Sequence, residues 1–181
     1  MDQDLELINQ FKAGDLRGFE MLVKKYQNKA VNIAYSLTYN SANAQDIAQE
    51  AFLKIYHKIG AFRQQAKFSS WLYRIVVNTA YDFLRRNKQQ NISIDEDPSL
   101  QIEDNRKSED PLAKELVRNT LAKLPFEYRS AIVLKEIEGL SYQEIADCLK
   151  ISIGTVESRI FRARQMMKEI LVKKGVFADE V

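Results

Sequence analysis

A single cysteine among 181 residues leaves no internal disulfide framework, and a single histidine, His57, leaves no Cys/His spacing of the kind that holds a structural zinc. Cys148 stands beside Leu149 in an apolar stretch and reads as a small buried hydrophobe. The six glycines form no phosphate-cradling loop, and the carboxylates form no clustered set suited to acid/base work. No metal, cofactor or catalytic residue is expected, and an enzyme is the weakest of the function classes. No stretch approaches the ~20 apolar residues that span a bilayer, and no charged start is followed by a long apolar run. The expected compartment is the cytoplasm, with the chain neither secreted nor membrane-embedded. Strand-like alternation is also missing, so the expectation is an all-α protein.

What the chain does have is hydrophobicity at helical spacing. It is 45% hydrophobic and 29% charged, enough for one sizeable core or two small ones. The net charge of +2 conceals a segregation. Residues 1–90 carry +5, residues 91–110 carry −5, and residues 111–181 carry +2. An acidic connector thus separates two basic blocks, and the basic blocks are the candidates for nucleic acid.

The stretch from Gly139 to Met167 reads as a helix-turn-helix. Ser141 with Glu144 is a capping-box pattern, and Ile145, Ala146 and Leu149 give that helix its apolar face. After an interruption at Lys150 to Ile153, a second helix carries Val156, Ile160, Ala163, Met167 and Ile170 at helical spacing. At about 100° per residue, its opposite side presents Glu157, Ser158, Phe161, Arg162 and Gln165, with Arg159 and Arg164 on the flanks. Central side chains able to reach base edges, with flanking cations placed for phosphates, suit major-groove reading. A helical hairpin with a charged solvent face would share the charge pattern, but neither the capped first helix nor the matched second one is needed for it.

Along the chain, Leu5, Ile8 and Phe11 predict a short first helix ended by Ala13-Gly14, with Asp15 capping the next. Phe19, Leu22, Val23, Tyr26, Ala30, Ile33, Ala34 and Leu37 hold the helical period over about five turns. A third helix from Ala42 to Lys58 turns Ala44, Ile47, Ala48, Ala51 and Ile55 inward and Asp46, Gln49, Glu50 and Leu53 outward. That outer face is either ordinary surface or a dock for a basic partner helix. A polar, basic loop from Gly60 to Ser69 follows, containing Phe62, Arg63, Lys67 and Phe68. The next helix has Leu72, Ile75, Val76, Thr79 and Phe83 on its core side. Opposite them Arg74, Asn78, Tyr81 and Arg85 line up, with Trp71 and Arg86 near the edges. Rings interleaved with cations suit single-stranded nucleic acid, since bases stack at ~1–3 kcal/mol each while guanidinium groups follow the backbone. The competing reading makes Trp71 a core residue and leaves the arginines solvated.

Residues 89–110 lack periodicity, are rich in acidic and amide residues, and are expected to be a flexible acidic linker. Asp110-Pro111 signals an N-cap and first-turn proline. Two further helices, through Leu116 to Leu124 and Tyr128 to Ile137, precede Gly139. Two small helical domains, residues 1–88 and 111–181, are therefore predicted.

Five stretches in order carry a family resemblance: A-G-D-L-R-G-F-E-M-L, A-Q-D-I-A-Q-E-A-F-L-K-I-Y, F-S-S-W-L-Y-R-I-V-V-N-T-A-Y-D-F-L-R-R, L-P-F-E-Y-R-S-A-I-V-L-K and G-T-V-E-S-R-I-F-R-A-R. Together they resemble the extracytoplasmic-function sigma factors, the smallest group of the sigma-70 family, over nearly the whole chain outside the linker. The resemblance implies a sigma region 2 helical bundle and a sigma region 4 helix-turn-helix. It implies binding to bacterial RNA polymerase core, recognition of the −35 and −10 promoter elements, DNA melting and transcription initiation, with an anti-sigma factor as a regulatory partner and no small-molecule substrate.

Carried over position by position, the resemblance assigns Asp46, Gln49, Glu50 and Leu53 to the polymerase core. It assigns Phe62, Arg63, Lys67, Phe68, Trp71, Arg74, Asn78, Tyr81 and Arg85 to the −10 element and its single strand, and Thr155, Glu157, Ser158, Arg159, Phe161, Arg162, Arg164 and Gln165 to the −35 element. Two positions depart from the family pattern. Glu157 stands where relatives often have Lys or Arg, and Lys150 where many helix-turn-helix units have glycine, implying a somewhat different turn. The rival from another class is a two-domain regulator that binds duplex DNA without polymerase.

Overall fold

The computed structural model describes residues 3–64, 66–89 and 111–175, and every regular element among them is helical. The chain divides into two compact units, the first carrying α1–α4 and the second α5–α8. The predicted linker lies outside the described residues except for Gln89, which ends α4, and the predicted Asp110 cap also lies outside them.

In the first unit, α1 (Gln3–Lys12), α2 (Leu16–Thr38), α3 (Ser41–Lys58) and α4 (Phe68–Gln89) follow one another through short joints. Asp15 caps α2 by accepting from the Arg17 amide, and the Asn40 side chain caps α3 by accepting from the Asn43 amide. At the joint Tyr39 takes a left-handed conformation (φ 55°), and only two residues, Tyr39 and Asn40, separate α2 from α3. Leu22, Ile33 and Leu37 of α2, Ile47 and Ile55 of α3 and Leu72 of α4 are fully buried and form the core. α1 is held onto α2 at Gly18, where a Cβ would stand 2.3 Å from the Leu7 carbonyl oxygen and 2.9 Å from the Phe11 nitrogen. The buried Asp4 carboxylate reinforces that contact by accepting hydrogen bonds from Tyr26 Oη and Lys25 Nζ.

The α4 core arc is rotated relative to its predicted position. Tyr73, Val77 and Ala80 join Leu72, Val76 and Thr79 in the interior, whereas Ile75 and Phe83 are only half-buried. α4 packs against both α2 and α3, so its interior arc is set by two neighbours and is wider than a single apolar stripe.

In the second unit, α5 (Pro111–Ala122) ends before the predicted Leu124. It is followed by α6 (Phe126–Ile132), a π-helical turn at Val133–Ile137, α7 (Tyr142–Leu149) and α8 (Ile153–Lys173). Leu124, Ile132, Leu134, Ile145, Val156, Ile160 and Ala163 supply the core, and Cys148 is fully buried. Both halves of the capping box are formed at the start of α7. The Ser141 hydroxyl accepts from the Glu144 amide and the Glu144 carboxylate accepts from the Ser141 amide.

Lys150 ends α7 at φ 57° and ψ 46°, and the Ile151 amide reaches back to the Ala146 carbonyl. This corrects the expectation of a different turn: it is the left-handed helix end that a glycine would make, carried by a lysine. Ser152 then caps α8 by accepting from the Thr155 amide, and the whole joint needs only three residues.

Candidate nucleic-acid and polymerase interfaces

On α3, Asp46, Gln49 and Leu53 lie on the solvent side, and Leu53 is 58% exposed. Glu50 behaves differently. Its carboxylate is half-buried, 2.7 Å from Lys54 Nζ and 3.4 Å from an Arg86 guanidinium nitrogen on α4. The Lys54 hydrogen bond outweighs the opposing effect of burial and, with the lesser help of the Lys54 and Arg86 charges, holds Glu50 below the usual carboxylate range. Lys54 also donates to Thr79 Oγ1 at 3.1 Å, so a polar chain from Arg86 through Glu50 and Lys54 to Thr79 joins α3 to α4.

Beyond a 3-10 turn at Ile59–Ala61, the loop into α4 departs from expectation. Phe62 and Phe68 do not offer open faces to unpaired bases, because both are buried, Phe68 to 2% exposure. Their rings meet edge to face at 5.7 Å, and Phe68 also packs on Tyr26 of α2 at 5.6 Å. The loop composition is polar, but aromatic area of this size goes into the core when neighbouring rings can receive it. The Lys12 ammonium donates to the Phe62 carbonyl at 3.2 Å and pins the start of the loop to α1.

The half-buried Trp71 rests on both rings, at 5.3 Å from Phe62 and 5.8 Å from Phe68. Arg63 and Lys67 are exposed in the loop. On α4, Asn78, Tyr81 and Arg85 are exposed and Arg74 is half-exposed, so the predicted stripe is on one solvent side. Arg85 lies 3.6 Å from Asp82, a weak surface pair.

On α8, Glu157, Ser158, Arg162 and Gln165 are exposed, and Phe161 is 63% exposed. Thr155 is half-buried near the helix start, where its hydroxyl meets that of Ser152 at 2.8 Å. The Ser158 hydroxyl donates to the Thr155 carbonyl at 2.9 Å and remains able to accept. Glu157 forms no ion pair with any described residue, and the three nearby arginines have other partners. Arg162 donates to Tyr128 Oη at 3.4 Å, Arg164 sits 2.6 Å from Glu136, and the half-buried Arg159 lies 3.6 Å from Glu127.

These partners on α6 and the π-turn were not read from the sequence, and neither was the Arg86–Glu50 pair. Only the Glu50–Lys54 spacing of four residues carried a local signal. Also unpredicted is the cluster of Phe11, Phe19 and Tyr56, with ring centroids 5.2–5.5 Å apart, whose Tyr56 ring meets that of His57 edge to face at 5.6 Å.

Among the described residues no group of three or more His, Cys, Asp or Glu could hold a metal ion, and no helix is long and apolar enough to cross a membrane.

A capped helix-turn-helix with a polar, cation-flanked recognition face, together with a second helical unit presenting a cationic stripe, defines a DNA-binding transcription factor. Comparison with known proteins narrows the class. The profile of sigma-70 region 2 matches residues 22–90 and that of sigma-70 region 4 matches residues 114–167. The chain is 36% identical to the RNA polymerase sigma-H factor of Pseudomonas aeruginosa over 94% of both chains. It is 38% identical to the ECF RNA polymerase sigma-E factor of Haemophilus influenzae, over 91% of this chain and 93% of that one.

Among solved structures, CnrH in complex with the cytosolic domain of CnrY superposes with a TM-score of 0.73 at 28% identity, over 95% of this chain and 99% of that one. The sigma factor RpoE in complex with the anti-sigma factor NepR, from Bartonella quintana, gives 0.69 at 25% identity, over 84% and 96%. The chain belongs to the sigma-70 family of RNA polymerase sigma factors, in its extracytoplasmic-function group, and is a promoter-recognising initiation factor.

Proposed function

We propose a division of labour in which residues 1–88 bind bacterial RNA polymerase core and the −10 element, and residues 111–181 bind the −35 element, with residues 89–110 joining them. Asp46, Gln49, Glu50 and Leu53 dock on the polymerase. Arg63, Lys67, Trp71, Arg74, Asn78, Tyr81 and Arg85 receive the unpaired strand of the −10 element, and Phe62 and Phe68 support Trp71 from beneath. The observation that carries this reading is the common solvent side of Arg74, Asn78, Tyr81 and Arg85 on α4, beside a tryptophan held on two buried rings.

Opening the −10 element costs a few kcal/mol of unstacking per extruded base. Stacking on exposed rings returns ~1–3 kcal/mol per base. Capture of the strand therefore offsets melting, which duplex contacts alone would not do. At the −35 element the N-terminal half of α8 enters the major groove, where Thr155, Glu157, Ser158, Phe161, Arg162 and Gln165 meet base edges and Arg159 and Arg164 meet phosphates.

This role needs no catalytic group in the chain, because nucleotide addition belongs to the polymerase. It places the chain in the cytoplasm, where the polymerase and promoters are. The structural neighbour CnrH is in complex with the cytosolic domain of CnrY, and RpoE with the anti-sigma factor NepR. We extend that pairing to this chain and assign it an anti-sigma partner.

Run-off transcription with bacterial core polymerase on selected promoters tests the reading. Initiation is expected only when the chain is added, and initiation that is equal without it removes the proposal. The rival regulator, which binds duplex DNA without polymerase, predicts tight promoter binding by the free chain and no dependence on core docking.

A further inference from the structure

The polar chain between α3 and α4 connects two surfaces that the proposed function keeps apart. Glu50 lies on the helix that carries the core-docking residues Asp46, Gln49 and Leu53, while Arg86 lies at the edge of the strand-facing stripe of α4. Their ion pair is the longer of the two Glu50 makes, 3.4 Å against 2.7 Å to Lys54, and both partners are partly exposed. Arg86 can therefore leave without stranding Glu50, which keeps Lys54, while Lys54 keeps Thr79. An exposed pair of this kind is weak and readily exchanged.

We propose that Arg86 is a further DNA-backbone contact, masked in the free chain by Glu50 and released when core polymerase docks on α3. The idea rests on the docking and strand-binding assignments above. A basic surface of the polymerase competes with Arg86 for the Glu50 carboxylate. Once displaced, the guanidinium is free to take a phosphate of the single strand running along Arg74, Asn78, Tyr81 and Arg85. Docking thereby raises the affinity for opened DNA, and by thermodynamic reciprocity DNA raises the affinity for core. The size of the coupling is bounded by the strength of one exposed ion pair, a factor of about two to five at low salt.

The consequence to measure runs against simple charge intuition: removing Arg86 makes Glu50 more available to the polymerase. Binding of the full-length chain to core polymerase at low ionic strength should tighten about two- to five-fold in Arg86→Gln. The gain should vanish in the Glu50→Gln background. Lys24→Gln, the same charge change on exposed α2 surface, should not reproduce it. Holoenzyme containing Arg86→Gln should in turn bind a pre-melted promoter more weakly, with a salt dependence reduced by about one ion.

Unchanged or weaker core binding by Arg86→Gln overturns the proposal, and so does a gain that persists without Glu50. The docking assignment is checked separately with Asp46→Asn and Leu53→Ala. If neither weakens core binding, the docking face itself is wrong and the coupling falls with it. If both weaken it while the Arg86–Glu50 cycle is flat, only the coupling is lost. Thermal melts of all variants exclude loss of fold as the cause.

Discussion

The Trp71 indole rests 5.3 Å from the ring of Phe62, tilted by 47°, and 5.8 Å from that of Phe68, the two phenylalanine rings being 5.7 Å apart. An aromatic surface left half-open at the start of α4 is thus held in place by two rings that solvent does not reach. Support and contact are separate tasks here, and substitutions should separate them. Phe68→Ala removes a fully buried ring and should cost the first unit about 3–5 kcal/mol by denaturant unfolding. Tyr81→Ala lies on the exposed stripe and should stay within about 0.5 kcal/mol of wild type in stability. It should nevertheless weaken holoenzyme binding to a pre-melted promoter by ~1–3 kcal/mol. Intact binding would remove Tyr81 from the strand platform, and a Phe68→Ala protein as stable as wild type would contradict the support role.

The approach of α1 to α2 depends on one missing methyl group. At Gly18 an added Cβ meets the Leu7 carbonyl oxygen at 2.3 Å and the Phe11 amide nitrogen at 2.9 Å, both backbone atoms that cannot swing aside as a side chain would. Gly18→Ala should therefore displace α1 and destabilise the unit by about 1–3 kcal/mol, although alanine is the better helix former. Hydrogen exchange should show the loss concentrated in α1. An alanine variant of equal or greater stability would mean that α1 is not packed as closely as the structure has it.

Local chemistry was the legible part of the sequence. The caps at Asp15 and Ser141 act within three residues, and the apolar period along α2 and α3 runs long enough to fix which side is buried. What escaped was set by distant neighbours. Phe62 sits in a loop whose composition is polar and Phe68 opens the helix that follows it, and Tyr26, some forty residues upstream, is part of what receives Phe68. The rotation of α4 follows from packing between two helices at once. Glu127, Glu136 and Tyr128 lie about thirty residues from the arginines they hold, so no spacing rule applies. The π-turn at Val133–Ile137 has no pattern that we can trace in the sequence.

Lys150 retains a glycine-like conformation that its side chain makes unfavourable, at about 1–2 kcal/mol for a residue with a Cβ. Lys150→Gly removes that strain but adds freedom to the unfolded chain. The net expectation is a gain of up to about 1 kcal/mol, read from slower hydrogen exchange in α7 and α8. Lys150→Val should move the other way, since a branched side chain tolerates the left-handed region least. A glycine variant less stable than wild type would show that the lysine side chain contributes more to the joint than its backbone conformation costs.

Sequence preference at the upstream promoter element should be divided between Glu157 and Arg162, which project from the exposed side of α8. Glutamate accepts a hydrogen bond from cytosine N4, whereas arginine pairs bidentately with guanine O6 and N7, so the two residues ask for opposite bases. Had Glu157 been paired with Arg162 or Arg164, it would have been an electrostatic bystander. Instead Arg162 donates to Tyr128 and Arg164 pairs with Glu136, and Glu157 forms no ion pair with any described residue. In a promoter-library selection, Glu157→Lys should shift the preferred base at one or two adjacent upstream positions, each worth ~1–3 kcal/mol of discrimination. Arg159→Ala and Arg164→Ala should act differently. Both have an ion pair of their own, with Glu127 or Glu136, and on the proposed assignment to phosphates the loss of either should weaken binding to every promoter and lower the salt slope by about 0.9. If Glu157→Lys changes overall affinity and leaves the preferred bases as they were, base reading passes to Arg162, Ser158 and Phe161.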